Sequence, residues 1–103
     1  MNLIQDTVKN LLLSLGDGCT ELWVIPKDLI RRAPDLRSSE VCSLTKIVVG
    51  QLIEKYNVKK IDMISRQITD ISLDEANEEI DRIFAMSRGG LPTIGDGFWM
   101  TKL

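Results

Sequence analysis

The chain has 103 residues, of which 15 are acidic and 13 basic, so its formal net charge is −2. It contains no histidine, which excludes Ser-His-Asp and Cys-His catalysis and imidazole metal ligands. Its two cysteines, Cys19 and Cys42, are too few for a disulfide framework and too far apart for a usual metal site. We therefore expect two reduced, partly buried thiols in a single domain over residues 1–103.

The first predicted element is an amphipathic helix near the beginning of the chain. Gly16 is suited to end it, because glycine readily adopts the left-handed conformation that closes many helices. The apolar residues that recur at helical spacing are Leu3, Ile4, Val8, Leu11, Leu12 and Leu15.

A strand is predicted over residues 21–25, because tryptophan, valine and isoleucine favour strands and Pro26 closes the segment. Pro26 can also open a short helix over residues 27–32, since its missing N–H is harmless in a first turn. Pro34 ends that helix.

The longest predicted helix covers residues 40–56, with Ser38 or Ser39 as its cap. As the most apolar helix it should be the central one, and Gly50 inside it predicts close contact with a neighbouring element. Its inner stripe is formed by Val41, Leu44, Val48, Leu52 and Tyr56, widened by Ile47 and Ile53.

The remainder of the chain predicts a strand, a helix and a final strand. The first strand covers residues 58–64, where Ile61 and Met63 alternate with polar residues. Ser72-Leu73-Asp74-Glu75 fits a capping box that opens a helix ending near residue 87, before Gly89-Gly90. The last strand covers residues 98–101.

These elements predict an α+β fold with about four helices and a minor three-stranded sheet. A strand between the first two helices, followed by a long third helix and another strand, is also the element order of winged-helix domains. The acidic fourth helix would then occupy the place of the wing.

Charge is distributed unevenly along the chain. Residues 1–69 carry ten basic and eight acidic side chains, a net +2, whereas residues 70–103 carry three basic and seven acidic side chains, a net −4. On a helix, five of these acids fall in two adjoining rows. One row contains Asp74, Glu78 and Asp81, and the other contains Glu75 and Glu79.

Two interpretations of these rows stay open. They can be a solvated helix face, in which Asp74 and Glu75 also favour the helix dipole. They can instead form a docking surface for a basic partner, because like charges at i, i+4 cost free energy that a binding face would recover. Trp99, on the last strand next to a glycine-rich loop, is the candidate aromatic anchor of such an interface.

No catalytic constellation is visible, and we expect no enzyme activity, no cofactor and no metal. The sequence lacks a phosphate-binding loop, a dinucleotide fingerprint and an EF-hand. The alternative function is a winged-helix DNA-binding regulator reading DNA with residues 40–56. The two lysines exposed on that helix, Lys46 and Lys55, and the acidic pI of about 5.1 make nucleic acid an unfavoured partner.

The order of features over residues 20–101 resembles small bacterial immunity proteins of contact-dependent inhibition and related polymorphic toxin systems. The resemblance rests on a tryptophan-bearing strand, a long apolar helix ending in Glu54-Lys55-Tyr56, a lysine-rich strand, the Ser72-Leu73-Asp74-Glu75 start and Asp96-Gly97-Phe98-Trp99. It implies a cytoplasmic protein that binds one toxin domain, often a nuclease, and blocks its active site. An acidic surface suits a basic nuclease cleft.

The sequence also predicts a cytoplasmic location without membrane attachment, because no secretory leader and no long apolar span are evident. The oligomeric state and the identity of the partner stay open.

Overall fold

The computed structural model describes residues 2–16, 18–87, 91–92 and 97–102. Its described residues form four helices and a four-stranded antiparallel sheet, an α+β fold as predicted. The elements, in chain order, are α1 (Leu3–Gly16), β1 (Cys19–Glu21), α2 (Val24–Arg32), α3 (Ser38–Tyr56), β2 (Val58–Ile61), β3 (Ile68–Thr69), α4 (Leu73–Met86) and β4 (Trp99–Lys102).

The sheet has the strand order β1-β4-β2-β3, so the last strand of the chain lies between β1 and β2. Glu21 and Ile61 lie opposite Trp99 on its two sides, and Ile61 in turn lies opposite Ile68. The predicted count of three strands was one too low. A strand of two residues, flanked by polar Gln67 and Asp70, is too short to produce an alternating pattern.

The helix α3 is the centre of the fold, as its apolar sequence predicted. It packs against α1, α2, α4 and β2. Ile47, predicted to widen its inner stripe, is instead 46% exposed. The core side chains of α3 are Val41, Val48, Val49 and Leu52, joined by Leu11 from α1, Leu22, Ile25 and Leu29 around α2, Ile80 from α4 and Met100 from β4.

The predicted strand over residues 21–25 was wrong, because the strand ends at Glu21 and α2 begins at Val24. Trp23 precedes the helix with α-helical backbone angles. Leu22, Ile25 and Leu29 are all buried, and this i, i+3, i+7 spacing is that of a helix facing a core. Burial of that stripe overrides the strand preference of the β-branched residues.

The predicted strand over residues 58–64 ends earlier, at Ile61. The Asp62 carboxylate accepts the backbone N–H groups of Ile64 (2.8 Å) and Ser65 (3.1 Å), which closes a tight turn. These bonds lower the pKa of Asp62 below its ordinary value. The last strand also lies one residue later than predicted, at Trp99–Lys102.

The start of α3 also differs from the prediction. The helix begins at Ser38 with Arg37 at the cap position, where the Glu40 carboxylate accepts the Arg37 backbone N–H at 3.0 Å. Neither Ser38 nor Ser39 is the cap, because both residues already lie inside the helix.

The start of α4 is confirmed. Ser72 Oγ accepts the backbone N–H of Glu75 at 3.1 Å, and the helix runs to Met86. The predicted stop at Gly89-Gly90 lies outside the described residues. A Cβ built on Gly50 of α3 would meet Leu73 Cδ2 at 3.6 Å, an ordinary contact. The beginning of α4 therefore passes α3 at Gly50, but at a distance that would also admit an alanine, so the predicted close contact is not what places glycine here.

Within the described ranges, no helix combines the length and the apolar character that a bilayer crossing demands. Both cysteines are free thiols and half-buried, as expected.

Candidate binding surface

The helix α4 presents the five predicted acidic residues away from its core stripe. Ala76, Ile80 and Ile83 are buried beneath it. We call Asp74, Glu75, Glu78, Glu79 and Asp81 the acidic face. Four of them are exposed and Glu79 is half-buried, so the face predicted from helical spacing is present.

Two members of the acidic face are engaged inside the protein. Glu79 accepts hydrogen bonds from the Arg82 guanidinium at both carboxylate oxygens, and these bonds lower the pKa of Glu79. Asp81 Oδ1 lies 2.7 Å from Lys46 Nζ on α3, a contact that raises the pKa of Lys46. Their charges are therefore locally compensated.

Asp74, Glu75 and Glu78 form no ion pair within the described part of the chain. Asp74 and Glu75 lie in the first turn of α4, where negative charge favours the helix dipole. Glu78 lies beyond that turn, four residues after Asp74, so the dipole does not account for it. Glu78 is repelled by Asp74 four residues before it and attracted by Arg82 four residues after it.

A groove of about 260 Å³ lies beside these carboxylates. Its apolar floor contains Ile71 and Phe98, which are 8% and 7% exposed. Its rim is polar and consists of Glu75, Glu78, Glu79, Arg82 and Lys60. An apolar floor below three carboxylates suits the aliphatic stem and charged head of an arginine or lysine side chain, and Arg82 and Lys60 share the rim with these carboxylates.

Trp99 lies outside the acidic face. Phe98 and Met100 belong to the core cluster, whereas the half-buried Trp99 between them does not. Successive strand residues point to opposite faces of a sheet, so Trp99 lies on the outer face, which the core does not cover. The candidate anchor and the five acids therefore do not form one continuous site.

Trp99 has a polar and an apolar neighbour across the outer face. Glu21 lies opposite it on β1 and Ile61 opposite it on β2. Glu21 also accepts the indole N–H of Trp23, and Lys27 Nζ lies 5.1 Å from the centre of the Trp23 ring. Both tryptophans are thus next to Glu21, although only Trp99 belongs to a strand.

A second charged group was not predicted from the sequence. Asp28 is only 3% exposed and accepts hydrogen bonds from Arg31 (2.5 Å), Arg32 (2.7 Å) and the Asn10 amide (3.2 Å). We call these four residues the Asp28 cluster. Burial by itself would raise the pKa of Asp28, but the bonds from the two arginines outweigh it and lower that pKa.

The signal for the Asp28 cluster in the sequence is the i, i+3, i+4 spacing of one acid and two arginines on a helix. That spacing predicts an ion pair but not burial, which depends on α1 lying alongside. Asn10 supplies the contact from α1.

Metal and thiol chemistry find little support in the described residues. Among them, no group of three or more cysteine, aspartate or glutamate side chains is arranged to hold a metal ion. Cys42 Sγ lies 3.8 Å from Asp81 Oδ1. Burial raises the pKa of the Cys42 thiol, which disfavours the reactive thiolate.

Comparison of the chain with models of known protein families, with curated proteins and with solved structures finds no match.

Proposed function

We propose that this chain is a non-catalytic, cytoplasmic immunity protein that neutralises a cognate toxin by binding it through the acidic face of α4. The partner is a toxin domain with a basic surface, such as a nuclease whose substrate cleft is positive. The observation that carries the proposal is Glu78, an exposed carboxylate next to Asp74 and Glu75. It has neither an ion-pair partner in the described residues nor a dipole to favour it.

The groove beside α4 supports a basic partner. Ile71 and Phe98 can bury the methylene groups of a partner's arginine, while Glu75 and Glu78 accept its guanidinium hydrogens. Arg82 is bonded to Glu79, whereas Glu75 and Glu78 form no ion pair among the described residues. Long-range attraction by the same charges would speed association.

The exposed lysines of α3 give less support to the alternative of DNA binding. Of the two lysines of α3 considered for DNA binding, Lys46 is only 32% exposed and is paired with Asp81. Lys55 is then the one lysine of the two that remains for contact with a phosphate group. A surface that reads phosphates normally provides several such cations.

The test is binding to, and protection from, the toxin domain encoded by the gene immediately upstream. Asp74→Lys with Glu78→Lys should lower the affinity at least about tenfold, mainly through slower association. These side chains are exposed and unpaired in the described structure, so the variant should fold, with a cost of up to about 1 kcal/mol for a lysine in the first turn of α4.

The matched control is Asp35→Lys with Glu54→Lys, which changes the net charge equally at two other exposed acids. It should retain nearly the affinity of the unchanged protein. Equal loss in both variants would indicate general charge attraction and contradict a defined surface. An upstream product that neither binds nor harms the cell would refute the proposal as a whole.

A further inference from the structure

The strand β3 leaves one edge of the sheet open. It stands last in the order β1-β4-β2-β3, and the residues from Gln67 to Asp70 are all exposed. An exposed edge strand offers unpaired backbone groups to another strand. A partner strand could therefore extend the sheet on this side.

The hydrogen-bond register shows which backbone groups point toward that edge. Asp62 N–H donates to the Gln67 carbonyl oxygen at 3.0 Å, across the turn that joins β2 to β3. Bonded and non-bonded pairs alternate along an antiparallel ladder. The next pair, Ile61 with Ile68, is therefore non-bonded, and the N–H and C=O of Ile68 point away from β2.

The side chains at this edge continue the outer face of the sheet. Ile68 is 42% exposed and lies opposite Ile61, which is 8% exposed although it is not part of the core cluster. Ile61 in turn lies opposite Trp99. An apolar row thus runs from Trp99 through Ile61 and stops, half-exposed, at Ile68.

We infer that β3 is a self-association site, where two copies of this chain pair their β3 strands antiparallel about a two-fold axis at Ile68. The two Ile68 residues would exchange two backbone hydrogen bonds. In this register Arg66, a left-handed turn residue (φ 63°) just before β3, lies near Asp70 of the other copy. The apolar row then continues across the axis, from Trp99 of one copy to Trp99 of its partner.

The backbone hydrogen-bonding groups and the charged side chains of this segment both favour the register centred on Ile68. Moving the axis by half a residue would place Ile68 opposite Thr69, whose backbone groups face β2 rather than the open edge. It would also place Asp70 opposite Gln67 and remove the charge complementarity. A closed two-fold pair uses the same patch on both copies, and a segment with a cation two residues before Ile68 and an anion two residues after it meets that requirement.

A pair of two short strands should bury much less than the roughly 800 Å² per partner that is usual in stable interfaces. The dimer should therefore be weak. Sedimentation should therefore be followed up to about 1 mM chain, and the mass should rise from 11.6 kDa toward twice that value. Ile68→Lys should weaken dimerisation at least about tenfold, since like charges would meet directly opposite each other. A protein that remains monomeric throughout this range would overturn the inference.

The matched control is Ile47→Lys, which places the same charge on an isoleucine that is 46% exposed on α3. It should dimerise as the unchanged protein does. If Ile47→Lys dissociates the dimer and Ile68→Lys does not, the interface lies elsewhere and the inference fails.

A charge exchange tests the register. Arg66→Glu and Asp70→Lys should each weaken the dimer, and the double variant should restore it because opposite charges again face each other. Asp70 also pairs with Lys59, but Asp70 is 86% exposed, so this loss should cost the fold little. A double variant weaker than both single variants would reject the proposed register.

Cross-linking provides a measurement that does not depend on affinity. In a background with Cys19→Ser and Cys42→Ser, Ile68→Cys should form a disulfide-linked dimer, since Cα atoms in a bonded antiparallel pair lie about 5.5 Å apart. Ile64→Cys, at a residue that is 98% exposed and away from the axis, should not. Equal cross-linking of both would indicate random collision and count against the site.

Discussion

The Asp28 cluster contains a buried carboxylate, whereas the carboxylates of the acidic face are mostly exposed. Asp28 is 3% exposed, and its carboxylate is surrounded by two guanidinium groups and an amide. Asp74, Glu75 and Glu78 are exposed and have no ion pair in the described structure. A buried carboxylate requires partners because its desolvation is costly, whereas exposed carboxylates can accumulate since water screens them.

The two groups of charges therefore have different roles, since the Asp28 cluster stabilises the fold and the acidic face is available for binding. Arg31 and Arg32 lie on α2 with Asp28, whereas Asn10 lies on α1, so one of the three bonds joins the two helices. Asp74 and Glu78 of the acidic face make no such bonds in the described structure, and reversing their charges should leave the fold intact. Charge that is not compensated internally is available to a partner.

The largest expected effect is the loss of the Asp28 carboxylate. Asp28→Ala should lower the free energy of unfolding by about 2–4 kcal/mol, because it removes charge-assisted bonds from a buried position and leaves Asn10 without its acceptor. Urea denaturation measures this change. Asp35→Ala, at an exposed acid, should stay within about 0.5 kcal/mol. Similar values for the two variants would contradict a structural role for the Asp28 cluster.

The same carboxylate should produce a pH dependence. The pKa of Asp28 is lower in the folded protein than its ordinary value of 3.8, so the unfolded chain binds its proton first as the pH falls. The stabilisation is complete above the unfolded pKa and is lost as the pH falls through the folded pKa. The difference in unfolding free energy between the unchanged protein and Asp28→Asn should therefore be constant near neutrality and shrink below about pH 4.

Urea denaturation at a series of pH values measures this difference. Asp62 and Glu79 also have lowered pKa values, but both variants contain them, so their contributions cancel. A difference that stays constant down to about pH 2 would show that Asp28 acts through its shape and not its charge.

The smallest expected effect concerns the helix that carries the acidic face. Ser72→Ala removes the acceptor for the Glu75 N–H and should cost about 1 kcal/mol. Ser39→Ala, at an exposed serine in the first turn of α3, serves as its control and should cost nothing, because alanine has the higher helix propensity. An equal cost in the two variants would contradict a stabilising role for the Ser72 cap.

Local sequence signals predicted α1 and α4 well. The spacing of Val8, Leu11 and Leu15 and the Ser72 cap each involve residues within a few turns, so neighbouring residues contain the information. The same reasoning failed at Trp23 and Ile25, where strand propensity and helical burial disagreed and burial prevailed. It also missed β3, whose two residues are strand only because β2 lies beside them.

Trp99 shows which part of the candidate site could not be predicted from the sequence. Its place on the last strand could be predicted, but its face of the sheet depends on which neighbours the core buries. Phe98 and Met100 take the inner side, and Trp99 is left with Glu21 and Ile61 on the outer side.

By itself, the sequence determined the four helices, the α+β class and an acidic helix, because helical periodicity and capping are local and a charge count needs no structure. Only the tertiary structure decided which charges are compensated. Lys46 reaches Asp81 from another helix, and α1 brings Asn10 to Asp28. Such pairings join residues distant in the chain, so they exist only once the helices have packed.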